Sequence, residues 1–502
     1  MNLFARRGWP CGICLALILA STPAFGQESW DAIYVGSAKV GHMRVRVEPL
    51  KDRAGRDLVR VRVDWDLTFD RGNNRAHMRQ LYGTIETPEG SVLRLDTRTQ
   101  ASNDDIRTFG DVKDGRMNLT IESGGKAQAK EIAWDPDVRG PYAAELSLSR
   151  KPLKPGEARD VKTYMPDLNK ICITKLVAKG PEKVEIGGAG QTRELLRVEQ
   201  VVTDDAGTAL PGMKTTLWVD GTGQILRSHT DLLGGMDTFR TTEAGALGDP
   251  GGGKFDLLTS SIIKCRKIAG SEATRNVAYR ITMPEDEPGQ VFPRDRRQTP
   301  TAGNEKTIAT LVVKTFGPKD GAPEEEPGPE YSRANPLIDS EDLKVIELTR
   351  RAVGKLTDPW AKAVAIQKWV SVNLTDKNFS TAFATAAAVA RNLKAGGDCS
   401  EHSVLVAAMC RAAGVPSRCA IGLVYADNIG GTTISGFGPH MWNEVYVNRR
   451  WVAIDAAYNQ SDVDATHLKL AASSLDGTSP FEVFLPVLKV FNKITIEPVE
   501  VR

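Results

Sequence analysis

The stretch GGDCSEHSVLVAAMCRAAGVPSR, residues 396–418, decides how the C-terminal part of this chain folds. Gly396-Gly397 lets the backbone turn tightly, and Asp398 can cap a helix that starts at Cys399. The apolar residues Val404, Leu405, Ala408 and Met409 carry that helix to Ala413, where Gly414-Val415-Pro416 stops it. Cys399 therefore falls in the first turn, where unpaired amides and the helix dipole favour negative charge. A thiolate is stabilised in such a place, and the thiolate is the nucleophile. The same amides suit the oxyanion that forms when a carbonyl is attacked.

Downstream, His440 in FGPHMWNEV and Asp455 in RWVAIDAA flank a turn signal at Asn448-Arg449. A two-residue loop there sets Trp442 opposite Asp455 and leaves His440 two residues further out on the same face. An odd-length loop without a bulge would separate them. The carboxylate can then orient the imidazole, and the imidazole can activate Cys399 and later protonate a leaving group. His402 shares a helix face with Cys399 and is a rival base. The set Cys399, His402, Cys410 and Cys419 matches no compact zinc spacing, so neither a metal nor a cofactor is expected. Cys410 and Cys419 read as core residues, and Trp442 and Trp451 as core aromatics of the hairpin.

These residues resemble the transglutaminase-like superfamily, relatives of the papain fold, in its bacterial exported form. The resemblance rests on the Trp369-Val370 helix, the 396–418 stretch, HMWNEVYVNRRW and VAID, and covers roughly 337–475. It implies Cys399 as nucleophile, His440 as base and Asp455 as orienting acid. The family usually has Pro after the aspartate, whereas this chain has Ala456, which loosens the local geometry.

Upstream, helical periodicity starts after Pro336. Asp339 or Ser340 is expected to cap a helix through Leu343, Ile346 and Val353, and Asp358-Pro359 opens a second one. An alanine-rich helix is expected over about 382–394. From Trp30 to about Leu247 the period is two instead: Val59, Val61, Val63, Trp65, Leu67 and Phe69 alternate with polar residues. Asp220-Gly221-Thr222-Gly223 reads as a hairpin loop. The fold class is α+β: a β-rich N-terminal region of antiparallel sheets (27–247), a linker and second β-rich segment (248–316), and a solvated Pro/Gly/acidic linker (317–336). The transglutaminase-like domain (337–475) and a C-terminal strand extension (476–502) follow.

Arg6-Arg7, the apolar run Cys11–Ala20 and Ala24-Phe25-Gly26 form a signal-peptide pattern over residues 1–26, with cleavage before Gln27. Ten apolar residues span about 15 Å as a helix, half of a hydrocarbon core of about 30 Å. A secreted or periplasmic protein with no membrane span after cleavage is expected. Five cysteines then remain, and an odd number leaves at least one thiol outside an intramolecular bridge. Cys172 and Cys265 could be bridged.

Across its 502 residues the chain is 41% hydrophobic and 25% charged, with 65 Lys+Arg against 63 Asp+Glu. That balance excludes a dedicated nucleic-acid binder, which needs a concentrated basic surface. The expected partner is a protein or peptide substrate. The expected function is acyl transfer from an amide through a thioester, resolved by water (peptidase or amidase) or by an amine (transglutaminase). The alternative is a catalytically silent envelope scaffold that binds through its β-rich region.

Overall fold

The computed structural model describes residues 26–502 apart from 73, 102–103, 124, 167, 188–189, 250–252, 379–383, 430–432 and 478–479. The signal-peptide pattern thus lies almost wholly outside the described residues. Among those residues, no helix is long and apolar enough to cross a membrane.

The period-two region builds one 14-stranded antiparallel sheet from two meanders. Eight strands run from Gln27–Val35 to Lys126–Ala133, and six from Ala158–Met165 to Met236–Thr241. They join where the first strand pairs with the last, Trp30 opposite Thr241 and Val35 opposite Met236. Alternation sets the faces: Val59, Val61, Val63 and Leu67 are buried, while Arg60, Arg62 and Asp64 point the other way. The outer strands approach around Trp134 and Tyr164, whose rings lie 5.7 Å apart.

The second β-rich segment is part of the C-terminal body. Strands Gln298–Ala302, Ile308–Lys314, Asn276–Thr282 and Thr495–Val501 form a four-stranded sheet in that order. Its Tyr279, Ile281, Leu311 and Ile496 share one hydrophobic core with Val404, Leu405 and Phe437. The 317–336 stretch differs from a solvated linker. Glu324 accepts from Trp451 N at 2.8 Å and its carbonyl accepts from the Tyr446 hydroxyl at 3.0 Å, so this segment is laid along the hairpin. The C-terminal extension carries a helix, Pro480–Val490, ahead of its strand.

Helix Leu343–Val353 is capped by Asp342 rather than Asp339 or Ser340, because Asp342 accepts from the amides of Lys344 and Val345. Asp358 caps Pro359–Asn373. The alanine-rich helix is only Ala386–Arg391, followed by a short turn of tighter helix at Leu393–Ala395. All five described cysteines are free. The Cys172–Cys265 bridge is therefore not formed: Cys172 packs with Leu168 and Val202 on the large sheet, whereas Cys265 packs against the C-terminal core.

A third sheet places the hairpin. Strand Gly436–Val447 pairs with Ser417–Ala426 on one edge and with Arg450–Ile454 on the other. On that strand Glu444 is 3% exposed and binds Lys469 Nζ at 2.6 Å and Arg418 Nε at 2.7 Å. Burial works to raise its carboxyl, but the two cations hold it at about 2, against an ordinary 4.5. A depressed folded value means that its stabilisation is complete above about pH 4.5 and disappears as pH falls toward 2. Glu444→Gln strands two buried cations and should cost about 3–5 kcal/mol at pH 7. Urea melts at pH 7 and pH 3 check this: the loss should be larger at the first than at the second, and equal losses would contradict it.

Candidate active site

Cys399 opens helix Cys399–Ala412 as expected. Asp398 caps it, Oδ1 accepting from Ser400 N at 2.8 Å, while Glu401 reaches back to Asp398 N at 2.9 Å. The two glycines before it are required by space. Gly396 has φ +72°, and a Cβ there would stand 2.1 Å from the Asp376 carbonyl oxygen; at Gly397 it would stand 2.5 Å from Glu401 Cβ. The Gly397 amide then donates to Asp376 O at 2.9 Å, fixing the approach to the helix.

The hairpin loop is Asn448-Arg449, both in the left-handed region (φ 50° and 59°), with Val447 opposite Arg450. This register puts His440 and Asp455 on one face, and His440 Nε2 lies 2.6 Å from Asp455 Oδ2. The carboxylate accepts, so Nε2 carries the proton and Nδ1 is the ring nitrogen left to receive one. The Asp455 site does not depend on a proline at 456. Its backbone bridges Gln460 in both directions at 2.7 Å, and its Oδ1 accepts from Ala457 N at 2.7 Å and Tyr458 N at 3.1 Å.

The helix that carries the sulfur packs on the same strand, and the Met441 amide there acts to lower the thiol's pKa. No direct Cys399–His440 hydrogen bond is formed. Burial, Asp398 and Glu401 push the thiol well above its ordinary value, while the Met441 amide and Arg71 pull it down. This differs from the expectation of a helix-stabilised thiolate: burial first, and then the capping carboxylates, outweigh what the helix start offers. Proton removal falls to His440.

His402 is not a rival base. Its ring nitrogens are both held by backbone carbonyls, Asp398 O at 2.7 Å and Leu374 O at 2.9 Å. Cys410 and Cys419 are core residues, and burial raises both thiols to about 12. Trp442 packs with Ala420, Ala453 and Val463, and Trp451 packs edge-on to Tyr331 and Tyr446.

One residue of the site was missed in the sequence: His467. It is 1% exposed, with Nε2 3.1 Å from Asp455 Oδ2 and Nδ1 3.2 Å from Asp464 Oδ1. Burial works against its charge, but the two carboxylates raise its pKa. Asp455, in spite of burial, is held far below the carboxylate range by His440 and His467. The donor atoms of His440, Asp455 and His467 lie within 4.8 Å of one another. The 2.6 Å His440–Asp455 separation is nevertheless a hydrogen-bond length. Two ligands on one zinc stand about 3.3 Å apart, so the arrangement is an ion-pair chain and not a metal cage.

The chain carries a transglutaminase-like domain: residues 346–456 match the transglutaminase-like superfamily. A search of curated proteins returns no match. Among solved structures the chain is similar to a beta-barrel-like protein of domain of unknown function DUF1849 from Brucella abortus. That pair shares 12% identity, 43% of this chain, 96% of the other and a TM-score of 0.31. It is also similar to a cysteine-protease candidate from Cytophaga hutchinsonii (16% identity, 45% and 86% covered, TM-score 0.27). A protease candidate from Parabacteroides distasonis gives 10% identity, 74% and 69% covered, and a TM-score of 0.19.

His467 should behave as a buried structural cation. With its folded value raised, its stabilisation is full below about pH 6.5 and is lost as pH rises through that folded value. His467→Ala leaves two buried carboxylates without their shared donor and should cost about 3–5 kcal/mol below pH 6.5. Denaturant melts across pH check this; an unchanged midpoint at pH 6 would contradict it.

Proposed function

We propose that this is an exported cysteine-dependent acyl-transfer enzyme acting on peptide or side-chain amides, with Cys399 as nucleophile, His440 as base and Asp455 as orienting acid. The observation that carries the reading is the Asp455–His440 hydrogen bond of 2.6 Å, on a strand packed against the helix that Cys399 opens. His440 Nδ1 takes the thiol proton as sulfur bonds to the amide carbonyl carbon. The Cys399 amide, in the helix's first turn, is placed to stabilise the oxyanion. The proton passes to the departing nitrogen, the C–N bond breaks, and a thioester remains. Water releases an acid, or an amine forms a new amide. Hydrolysis is the leading outcome, because water is always present and its exclusion needs dedicated architecture. Export rests on the signal-peptide pattern of residues 1–26.

A second reading is a silent scaffold that binds through the large sheet. It is favoured by one observation, the thiol pushed up by burial and two carboxylates.

Residues 27–502, incubated with a mixed protein substrate and a primary-amine tracer, separate these readings. Mass spectrometry should find cleaved or deamidated products, or tracer conjugates, at least a hundredfold above Cys399→Ala and His440→Ala controls. Equal product from parent and controls would leave the scaffold.

A further inference from the structure

A carboxylate beside a thiolate opposes it, and the Cys399 helix brings two acids, of which Glu401 has its carboxyl pushed well above the ordinary range by burial and by Asp398. Asp398 is the cap and Glu401 lies one turn in. His440 and Tyr458 face the site from the hairpin strand and the turn after it, with their rings 5.1 Å apart. The charge that answers Asp398 comes from the far end of the chain. Arg71 ends strand Asp57–Arg71 of the large sheet, and its Nη2 donates to Asp398 Oδ2 at 2.9 Å. The Asp398 side chain is 7% exposed and Arg71 22%, so water screens this pair weakly.

The hairpin tip that delivers Arg71 is fixed in place. Gly72, with φ +61°, donates its amide to the Asp256 carboxylate at 3.1 and 3.2 Å. Asp256 also caps the short helix Leu257–Ser260, and Asp70 N donates to Phe255 O at 3.2 Å. Asp398 is thereby kept charged despite burial, with Arg71 the strongest influence holding its carboxyl down. The cap keeps its helix-starting function while Arg71 balances its charge.

We propose that Arg71 is a positioning residue for the nucleophile, supplied by the N-terminal sheet: it neutralises the Asp398 cap so that negative charge can form on the adjacent Cys399. This rests on the reading of Cys399 as nucleophile. It gives the large sheet a direct part in the chemistry, as the source of a charge that the transglutaminase-like domain does not contain.

The test uses the full chain and iodoacetamide, a neutral probe, with Cys399 labelling rates read by peptide mass spectrometry from about pH 5 to 10. Arg71→Gln should move the Cys399 rate profile about one pH unit upward, roughly a tenfold loss at pH 7. Arg71→Lys keeps the charge and should stay close to the parent. Asp398→Asn removes the charge while Asn remains a good cap, so in that background Arg71→Gln should produce a clearly smaller shift, the part that Arg71 exerts on the thiol directly. Thermal melts confirm that each variant is folded. An Arg71→Gln profile that coincides with the parent, or the same shift in the Asp398→Asn background, would overturn the inference. If the parent thiol labels no faster than a free cysteine and ignores His440→Ala, the nucleophile reading fails and takes this inference with it. If His440 accelerates the parent and Arg71 does not matter, only the inference fails.

Discussion

The Asp455 carboxylate is the constraint on which the site depends. It is 1% exposed and accepts four hydrogen bonds, from His440, His467 and the amides of Ala457 and Tyr458. A buried anion is tolerable only when its lone pairs are filled and its charge is answered. Here that demand fixes three things together. The 455–460 turn must close, the Ser417–Ala426 and His467–Ser473 strands must lie close enough to bring in His467, and His440 must present Nε2 to the carboxylate. Gly422 makes the strand approach feasible, since a Cβ there would stand 2.0 Å from Leu468 O. The ring orientation of His440 is thus a consequence of how a buried charge is satisfied.

The nucleophile is placed under opposing demands. An acidic cap starts the helix firmly, and the capping box with Glu401 adds a second carboxylate. Both make ionisation of the neighbouring thiol harder. Stability of the helix start and ease of thiolate formation therefore pull against each other at one residue, Asp398. The Met441 amide and the Arg71 guanidinium act in the other direction, one from the hairpin strand and the other from the large sheet.

Much of this was legible in the sequence where the determinant is local. The Asp398 cap, the glycine pair and the two-residue loop at 448–449 each follow from neighbouring residues and a known period. The alternation over 27–247 likewise gave strands, because one apolar face is enough to define the period. Contacts made at long range were not legible. His467 reaches Asp455 through a bulged pairing with the Ser417–Ala426 strand, and no periodicity announces it. Arg71 lies 327 residues from Asp398. The 317–336 segment has linker composition yet is held, because backbone carbonyls and Glu324 find partners on the hairpin that composition does not record. Cys172 and Cys265 fall in separate clusters, a matter of tertiary placement alone.

The central claim is that one of the five described thiols is made chemically distinct by its surroundings. Cys172, Cys410 and Cys419 are buried and Cys265 is partly exposed, so exposure alone would single out Cys265 and Cys399 together. Substoichiometric alkylation of the folded protein at pH 7, followed by peptide mapping of all five thiols, tests this directly. The account predicts label on Cys399 well ahead of Cys265, with the preference abolished in His440→Ala. Label on Cys265 at the same rate, or a preference that survives loss of the imidazole, would contradict it.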